Sequence, residues 1–132
     1  FERAHSLSDD PLQQFLIFLK LLAEMMADLP NGHPGCLVAA FTYESMQLEP
    51  QVLSRITHGV LSWRALFGQH LQRVADEYPM KIPMSIDDLA DMLTSVMEGG
   101  IVLSLTLKEP DVLVRQLLSY RDFVRLQFGD VS

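Results

Sequence analysis

An all-α fold is predicted for this 132-residue chain from three observations. Apolar residues recur at the i, i+3, i+4 and i+7 positions of one helix face in four long segments. Prolines and glycines cluster between those segments, where they end helices and form turns. No segment shows the sustained apolar–polar alternation of a strand. We therefore expect one domain, residues 1–132, built as an antiparallel bundle of about five helices.

The first long helix is predicted from about Pro11 to Leu29. Asp10 suits the N-cap, and a proline suits the first helical position because its missing N–H costs nothing there. Apolar residues cover most of the surface of this helix. We therefore expect it to be central in the core. Residues 1–6 look like the end of an earlier helix.

A Gly/Pro-rich stretch at residues 30–35 predicts a loop, and a shorter helix is predicted from Cys36 to about Leu48. The next helix begins at Pro50, with its apolar residues in phase as far as Tyr78. At 1.5 Å per residue it would be about 44 Å long.

Prolines in residues 78–83 predict a second loop. Ser85, followed three residues later by an acid, resembles a capping box and starts a helix that runs to Leu107. Pro110 then begins the last helix, which Gly129 ends.

The composition of the chain limits the partners that it can have. Hydrophobic residues make up 48 % of the chain, and the surplus of apolar surface predicts a subunit interface or a ligand cavity. The chain has ten basic and seventeen acidic residues, for a net charge of −7, so the chain itself should not bind DNA. No uninterrupted apolar run has the length of a membrane span, so we expect no membrane partner. The single cysteine is compatible with a reducing cytoplasm, where we expect the protein to act.

Candidate chemistry is sparse. His33 and Cys36 have a ligand-like spacing, but no second pair accompanies them, so neither a metal site nor a cofactor is expected. The paired carboxylates at residues 9–10 and 87–88 lie at helix starts, where the helix dipole favours negative charge. No nucleophile elbow or phosphate loop is present, and we expect no enzyme activity.

Two features of the sequence remain open. Gly99 and Gly100 lie inside a helix, where each costs about 1 kcal/mol relative to alanine. They are either a tolerated weakness or the place where another helix or a ligand approaches closely. Methionine and aromatic residues also exceed what a minimal core needs, and they suit either core packing or adaptable cavity walls.

Three short motifs carry a resemblance to TetR-family transcriptional regulators. Residues 35–40, Gly-Cys-Leu-Val-Ala-Ala, resemble the start of the sixth helix of that family. Residues 98–103, Glu-Gly-Gly-Ile-Val-Leu, are similar to the Glu-Gly-Ala-type stretch of its eighth helix. Residues 109–111, followed by an amphipathic helix, look like the start of its ninth. Residues 1–6 would then end its fourth helix.

The resemblance implies the effector-binding and dimerisation domain of a one-component repressor. The N-terminal helix-turn-helix domain of such proteins is absent from this chain, and operator DNA would be bound only through it. An effector would shift the fourth helix and change the spacing of two DNA-reading heads, whose half-sites lie about 34–36 Å apart. The alternatives are a helical-bundle enzyme acting on an apolar substrate and a dimerisation module without a ligand.

The resemblance also implies site residues. The expected ligand is a small apolar or aromatic effector, and the candidate effector-binding residues are Phe18, Leu22, Phe41, Trp63, Phe67 and Met97. The expected protein partner is a second copy of the chain, paired through the last two helices. The candidate interface residues are Val96, Gly100, Leu103, Leu113, Leu117, Tyr120 and Val124.

Overall fold

The structure is a computed structural model that describes residues 1–29, 32, 35 and 49–129. These residues contain helices and no strand, which confirms the predicted all-α class. The described helices are α1 (Glu2–Leu7), α2 (Pro11–Ala27), α3 (Pro50–Glu77), α4 (Ile86–Leu107) and α5 (Asp111–Phe128). The helix predicted from Cys36 to Leu48 and most of the preceding loop lie outside the described residues.

Local signals place the helix starts. The Asp10 carboxylate accepts a hydrogen bond from the Gln13 amide at 3.0 Å, and Pro11 occupies the first turn of α2. The Ser85 hydroxyl accepts from the Asp88 amide at 3.0 Å at the start of α4. Both predicted N-caps are confirmed. Each satisfies an amide that has no partner within its helix.

The core lies where α5 packs against both α2 and α4, while α4 also packs against α3. Helix α2 further contacts α1 and α3, which agrees with its predicted central position. The largest fully buried side chains come from α2, α3, α4 and α5: Phe15, Leu19, Leu71, Val74, Leu89, Leu93, Leu113, Leu117, Val124 and Gln127.

Helices α4 and α5 meet at very short range at Gly100. A Cβ atom on Gly100 would lie 3.1 Å from the Leu113 Cα, closer than an ordinary van der Waals contact, so a side chain there would crowd the backbone of α5. The buried Ser104 hydroxyl accepts a hydrogen bond from the Leu113 amide at 3.0 Å. Because the N-cap of α5 is Pro110, which offers no capping side chain, Ser104 caps α5 from the neighbouring helix.

The loop between α3 and α4 is fastened to the end of α5 by Gln127. The Gln127 side-chain oxygen accepts from the Ile82 amide at 2.9 Å, and its side-chain nitrogen donates to the Ile82 carbonyl oxygen. The Lys81 amide donates to the Gln127 carbonyl oxygen at 2.8 Å. A second anchor is the Tyr78 hydroxyl, which donates to the Asp10 carboxylate at 2.6 Å.

Within the described residues, α4 is the one helix long and apolar enough to cross a membrane by length and composition, with a mean hydropathy of 1.3. The sequence expectation considered uninterrupted apolar runs and so overlooked α4, where small polar residues interrupt the apolar ones. A core helix passes the same test, and α4 packs against both α3 and α5. A third of its most apolar window is buried, which leaves much apolar surface facing outward.

Candidate functional site

A cavity of about 170 Å³ lies between α3 and α4. Trp63 and Phe67 line it from α3, and Thr94, Met97 and Glu98 line it from α4. Residues four apart share a helix face, as do residues three apart, so each helix presents its contribution from one side. The sequence therefore builds a small chamber with aromatic, thioether, hydroxyl and carboxylate walls.

An ion pair ties the two walls of the cavity together. The Arg64 guanidinium donates two hydrogen bonds to the Asp91 carboxylate, at 2.9 and 2.8 Å. Arg64 follows Trp63 in sequence, and Asp91 lies one helical turn before Thr94. The hydrogen bonds to Asp91 raise the pKa of Arg64 above its ordinary value. The bidentate geometry fixes how α3 crosses α4 beside the cavity.

Glu98 is a lining residue of the cavity, and one of its carboxylate oxygens has an unusual environment. Its Oε2 atom is buried and has no hydrogen-bond partner among the described residues. Buried polar atoms in proteins are nearly always paired, so an unpaired carboxylate oxygen beside a cavity is a candidate ligand contact. Among the residues that line this cavity, Glu98 is also the one with a carboxylate.

A larger groove of about 460 Å³ runs between α1 and α2. Phe1 and Arg3 line it from α1, and the remaining lining residues belong to α2 or follow it directly: Phe18, Leu21, Leu22, Glu24, Met25 and Asp28. The Phe18 ring centroid lies 6.3 Å from that of Phe67, a lining residue of the α3–α4 cavity. The groove and the cavity are therefore neighbours that share an aromatic contact.

The α1 helix is held to this region by a ring stack at its N-cap residue. The Phe1 ring lies between Phe18, at a centroid distance of 3.8 Å, and His70, at 3.6 Å. His5 meets His70 edge-on at 5.3 Å. Burial, which is the largest cause, and the nearby charges of His5 and Arg73 together lower the pKa of His70 to about 4. His70 is therefore neutral at neutral pH, which suits stacking on an apolar ring.

The predicted effector residues thus fall into two adjoining places. Trp63, Phe67 and Met97 share the α3–α4 cavity, and Phe18 and Leu22 line the groove beside it. Phe41 lies outside the described residues. Whether any of them binds an effector stays a prediction.

The residues of this region that the sequence-based site prediction missed include Phe1, His70, Thr94 and Glu98. A signal for two of them was present, because Thr94 lies three residues before Met97 and four before Glu98, which are the spacings of one helix face. Phe1 and His70 are brought together across two helices, and no local pattern marks such a contact.

Five of the predicted interface residues lie in the core of a single chain. Leu113, Leu117, Tyr120 and Val124 are at most 2 % exposed in the single chain. Gly100 is also buried, against Leu113. These five residues belong to the core of the chain itself, and their side chains are not available to a second copy. The close approach that Gly100 permits is made by α5 of the same chain.

The two remaining interface candidates lie nearer the surface, because Val96 is half-buried and Leu103 is 44 % exposed. Leu107, four residues after Leu103, is also exposed, so these three share one outward stripe of α4. On α5 the half-buried Phe123 and the exposed Leu126 form a second apolar pair at helical spacing. Exposed apolar residues at this density mark a candidate protein contact surface.

The cavity bears on the alternative functions. A module that only dimerises requires no cavity, and catalysis would favour several titratable groups converging on one. Across the described residues, no group of three or more His, Cys, Asp or Glu side chains is placed to hold a metal ion. The cavity walls are mostly apolar, as a binding site for a small apolar molecule requires.

Comparison with known proteins gives a family. The family model for the tetracyclin repressor-like, C-terminal domain matches residues 11–118. No curated protein and no solved structure matches the chain. The family consists of regulatory domains that bind ligands and dimerise, and the matched segment includes α2, α3, α4 and the first part of α5. The chain therefore belongs to the tetracyclin repressor-like C-terminal domain family.

Proposed function

We propose that this chain senses a small, mostly apolar effector and controls DNA binding by an N-terminal helix-turn-helix domain, as a transcriptional repressor. The observation that carries the proposal is the cavity lined by Trp63, Phe67 and Met97, which adjoins α1 through the Phe18–Phe67 contact. Aromatic and thioether walls suit an apolar ligand and adapt to its shape.

The route from effector to DNA runs through α1. An effector that displaces Phe67 or enters the neighbouring groove changes the position of Phe18, against which Phe1 is stacked. Phe1 and Arg3 also line that groove, so a ligand there would contact α1 directly. A ligand that binds one position of α1 better than another shifts the equilibrium between the two positions. Two DNA-binding heads would then lose the spacing that their half-sites need.

Binding at the cavity can be tested with the single tryptophan of the chain. Apolar and aromatic compounds should change Trp63 emission saturably, and calorimetry should show that binding is lost in the Trp63→Ala, Phe67→Ala double variant. The matched control is the Leu61→Ala, Leu66→Ala double variant, because both residues lie on α3 and are exposed. Undiminished binding by the first variant would place the effector elsewhere.

A separate measurement tests whether effector binding in the cavity affects α1. The nuclear magnetic resonance signals of the His70 ring report the Phe1 stack, and they should shift on titration with any compound that changes Trp63 emission.

In a protein that carries a helix-turn-helix domain ahead of residue 1, the same compound should weaken binding to a palindromic operator in a mobility-shift assay. The 132 residues alone, at a net charge of −7, should bind no DNA at physiological salt. Salt-sensitive binding by them would contradict the proposal.

We further infer that two copies of the chain pair through the outward apolar residues of α4 and α5, in place of the buried residues that the sequence suggested. The proposed contact residues are Val96, Leu103, Leu107, Phe123 and Leu126. The surplus apolar surface of α4 supports this pairing, because a second copy would cover it. Family membership supports it as well, since these domains dimerise.

Sedimentation of the Leu103→Asp, Leu126→Asp double variant tests the pairing. Both residues are about half exposed, at 44 % and 51 %, so the variant should fold and sediment as a monomer. The control is Leu61→Asp on α3, which is 47 % exposed and should leave the dimer intact. A double variant that still sediments as a dimer would rule out this surface.

A further inference from the structure

The carboxylate of Glu98 gives the proposed effector a more definite chemistry. We propose that the effector carries a protonated amine on its apolar body, and that this amine donates a hydrogen bond to Glu98 Oε2 in the α3–α4 cavity. The inference rests on the proposed function, because it takes this cavity as the effector site.

One oxygen of the Glu98 carboxylate lacks a hydrogen-bond partner among the described residues. Glu98 Oε2 is shielded from solvent, yet no described residue donates to it. A buried carboxylate oxygen without a donor destabilises the protein, and a bound donor removes that cost. Glu98 lines the cavity, and because Oε2 has almost no solvent-accessible area, we expect the carboxylate to turn toward an occupant that supplies the donor.

The residues that line the cavity favour a positively charged ligand. Besides Glu98, the cavity presents Trp63, whose ring face attracts cations. The cation closest in sequence, Arg64, is already held by two hydrogen bonds to Asp91. The walls therefore offer two groups that stabilise a positive charge, and none of the five lining residues is basic. The net charge of −7 favours the approach of a cation as well.

The cavity walls are partly apolar and partly polar. Phe67 and Met97 are apolar, while the Thr94 hydroxyl and the Glu98 carboxylate supply the polar groups. A ligand that fits these walls has an apolar part and one polar end. The volume of about 170 Å³ is below the roughly 300 Å³ of a usual drug-sized site, so the occupant is small or only its amine-bearing end enters.

Three probes of similar shape test the sign of the charge: 2-phenylethylamine, which is a cation at pH 7, the neutral propylbenzene, and the anionic 3-phenylpropionate. We expect 2-phenylethylamine to change Trp63 emission saturably and to bind at least tenfold more tightly than either of the others.

In the Glu98→Gln variant, the affinity for 2-phenylethylamine should fall by about tenfold, because a charge-assisted hydrogen bond is replaced by a neutral one. The control is Glu77→Gln, at the exposed end of α3, which should bind the amine like the unaltered chain. Circular dichroism and thermal unfolding establish that both variants fold.

The outcomes separate the two proposals. If propylbenzene binds as tightly as the amine, or if Glu98→Gln leaves amine affinity unchanged, the amine proposal is overturned and the apolar sensor remains. If no probe changes Trp63 emission and none is detected by calorimetry, the placement of the effector in this cavity fails, and the amine proposal fails with it.

Discussion

Gln127 and Ile82 form a closed pair of hydrogen bonds, in which the side-chain amide of one residue satisfies both backbone polar groups of the other. Gln127 is 1 % exposed, so its amide is buried with them. Ile82 is 58 % exposed, so its own side chain adds little packing, and its backbone groups are held by Gln127. The pair therefore orients this loop, and with it the start of α4.

Replacing Gln127 with alanine should lower the free energy of unfolding by about 2–4 kcal/mol, because a cavity forms and two backbone groups lose their partners. Urea unfolding measures the change. Gln116→Ala, at an exposed position of the same helix, should change stability by less than about 0.5 kcal/mol. Equal effects of the two substitutions would show that the loop is held by other contacts.

The adjacent glycines of α4 should respond to alanine with opposite signs. A Cβ atom on Gly100 would lie 2.9 Å from the Leu113 Cδ1 and 3.1 Å from its Cα, so Gly100→Ala should destabilise the chain. We expect a loss of about 1–3 kcal/mol from overpacking. At Gly99 no atom of the described residues lies within 4 Å of a Cβ atom, so Gly99→Ala should stabilise by about 0.5–1 kcal/mol through helix propensity. Thermal unfolding of both variants distinguishes these signs.

Ser104→Ala removes the cap that α4 provides to α5. The Leu113 amide then loses its hydrogen bond in a buried position, and stability should fall by about 1–2 kcal/mol. Hydrogen exchange at the Leu113 amide should also accelerate. Ser119→Ala, on the exposed side of α5, is the matched control and should leave both measurements unchanged. Slow exchange at Leu113 in the Ser104 variant would contradict the role of this cap.

The His70 stack predicts a dependence of stability on acid. The folded chain holds the pKa of His70 at about 4, below its ordinary value of 6.5. Between these values the unfolded chain binds the proton more tightly, so the free energy of unfolding should fall as the pH drops from about 6.5 toward 4.

The His70→Phe variant tests this dependence, because it keeps a ring against Phe1 and removes the titrating group. Its stability, measured by urea unfolding, should decline less between pH 7 and pH 5 than that of the unaltered chain. His58→Phe, at an exposed position of α3, should retain the full decline. Identical pH profiles for His70→Phe and the unaltered chain would mean that His70 is not responsible.

The sequence predicted the described helices well, because their ends depend on neighbouring residues. Asp10 and Ser85 cap helices that begin within a few residues, and a proline at Pro50 or Pro110 marks a start that needs no tertiary information. Periodicity then carries each helix to its next break.

What the sequence could not tell is which apolar face meets which neighbour. Leu117 and Leu103 both lie on apolar faces, but the first is fully buried within the chain and the second is 44 % exposed. The hydrophobic effect is not directional, so an apolar stripe looks the same whether its own chain or a second copy covers it. Within the candidate site, Trp63 and Phe67 were predictable as one face of a helix. The carboxylate of Glu98 was not, because its isolation follows from the arrangement of α3 against α4.

The bidentate pair of Arg64 and Asp91 also has a mechanical meaning. All of the buried residues of α3 lie after it, from Phe67 to Val74, and none of residues 50–63 is buried. The ion pair therefore lies where a pivot of α3 would lie. The buried half of the helix is on one side of it, and residues 50–63, about 21 Å long at 1.5 Å per residue, are on the other. A ligand that pushes α3 and α4 apart beside Trp63 would therefore move residues 50–63 outward. A displacement of a fraction of an ångström at the cavity would grow to a larger excursion at Pro50.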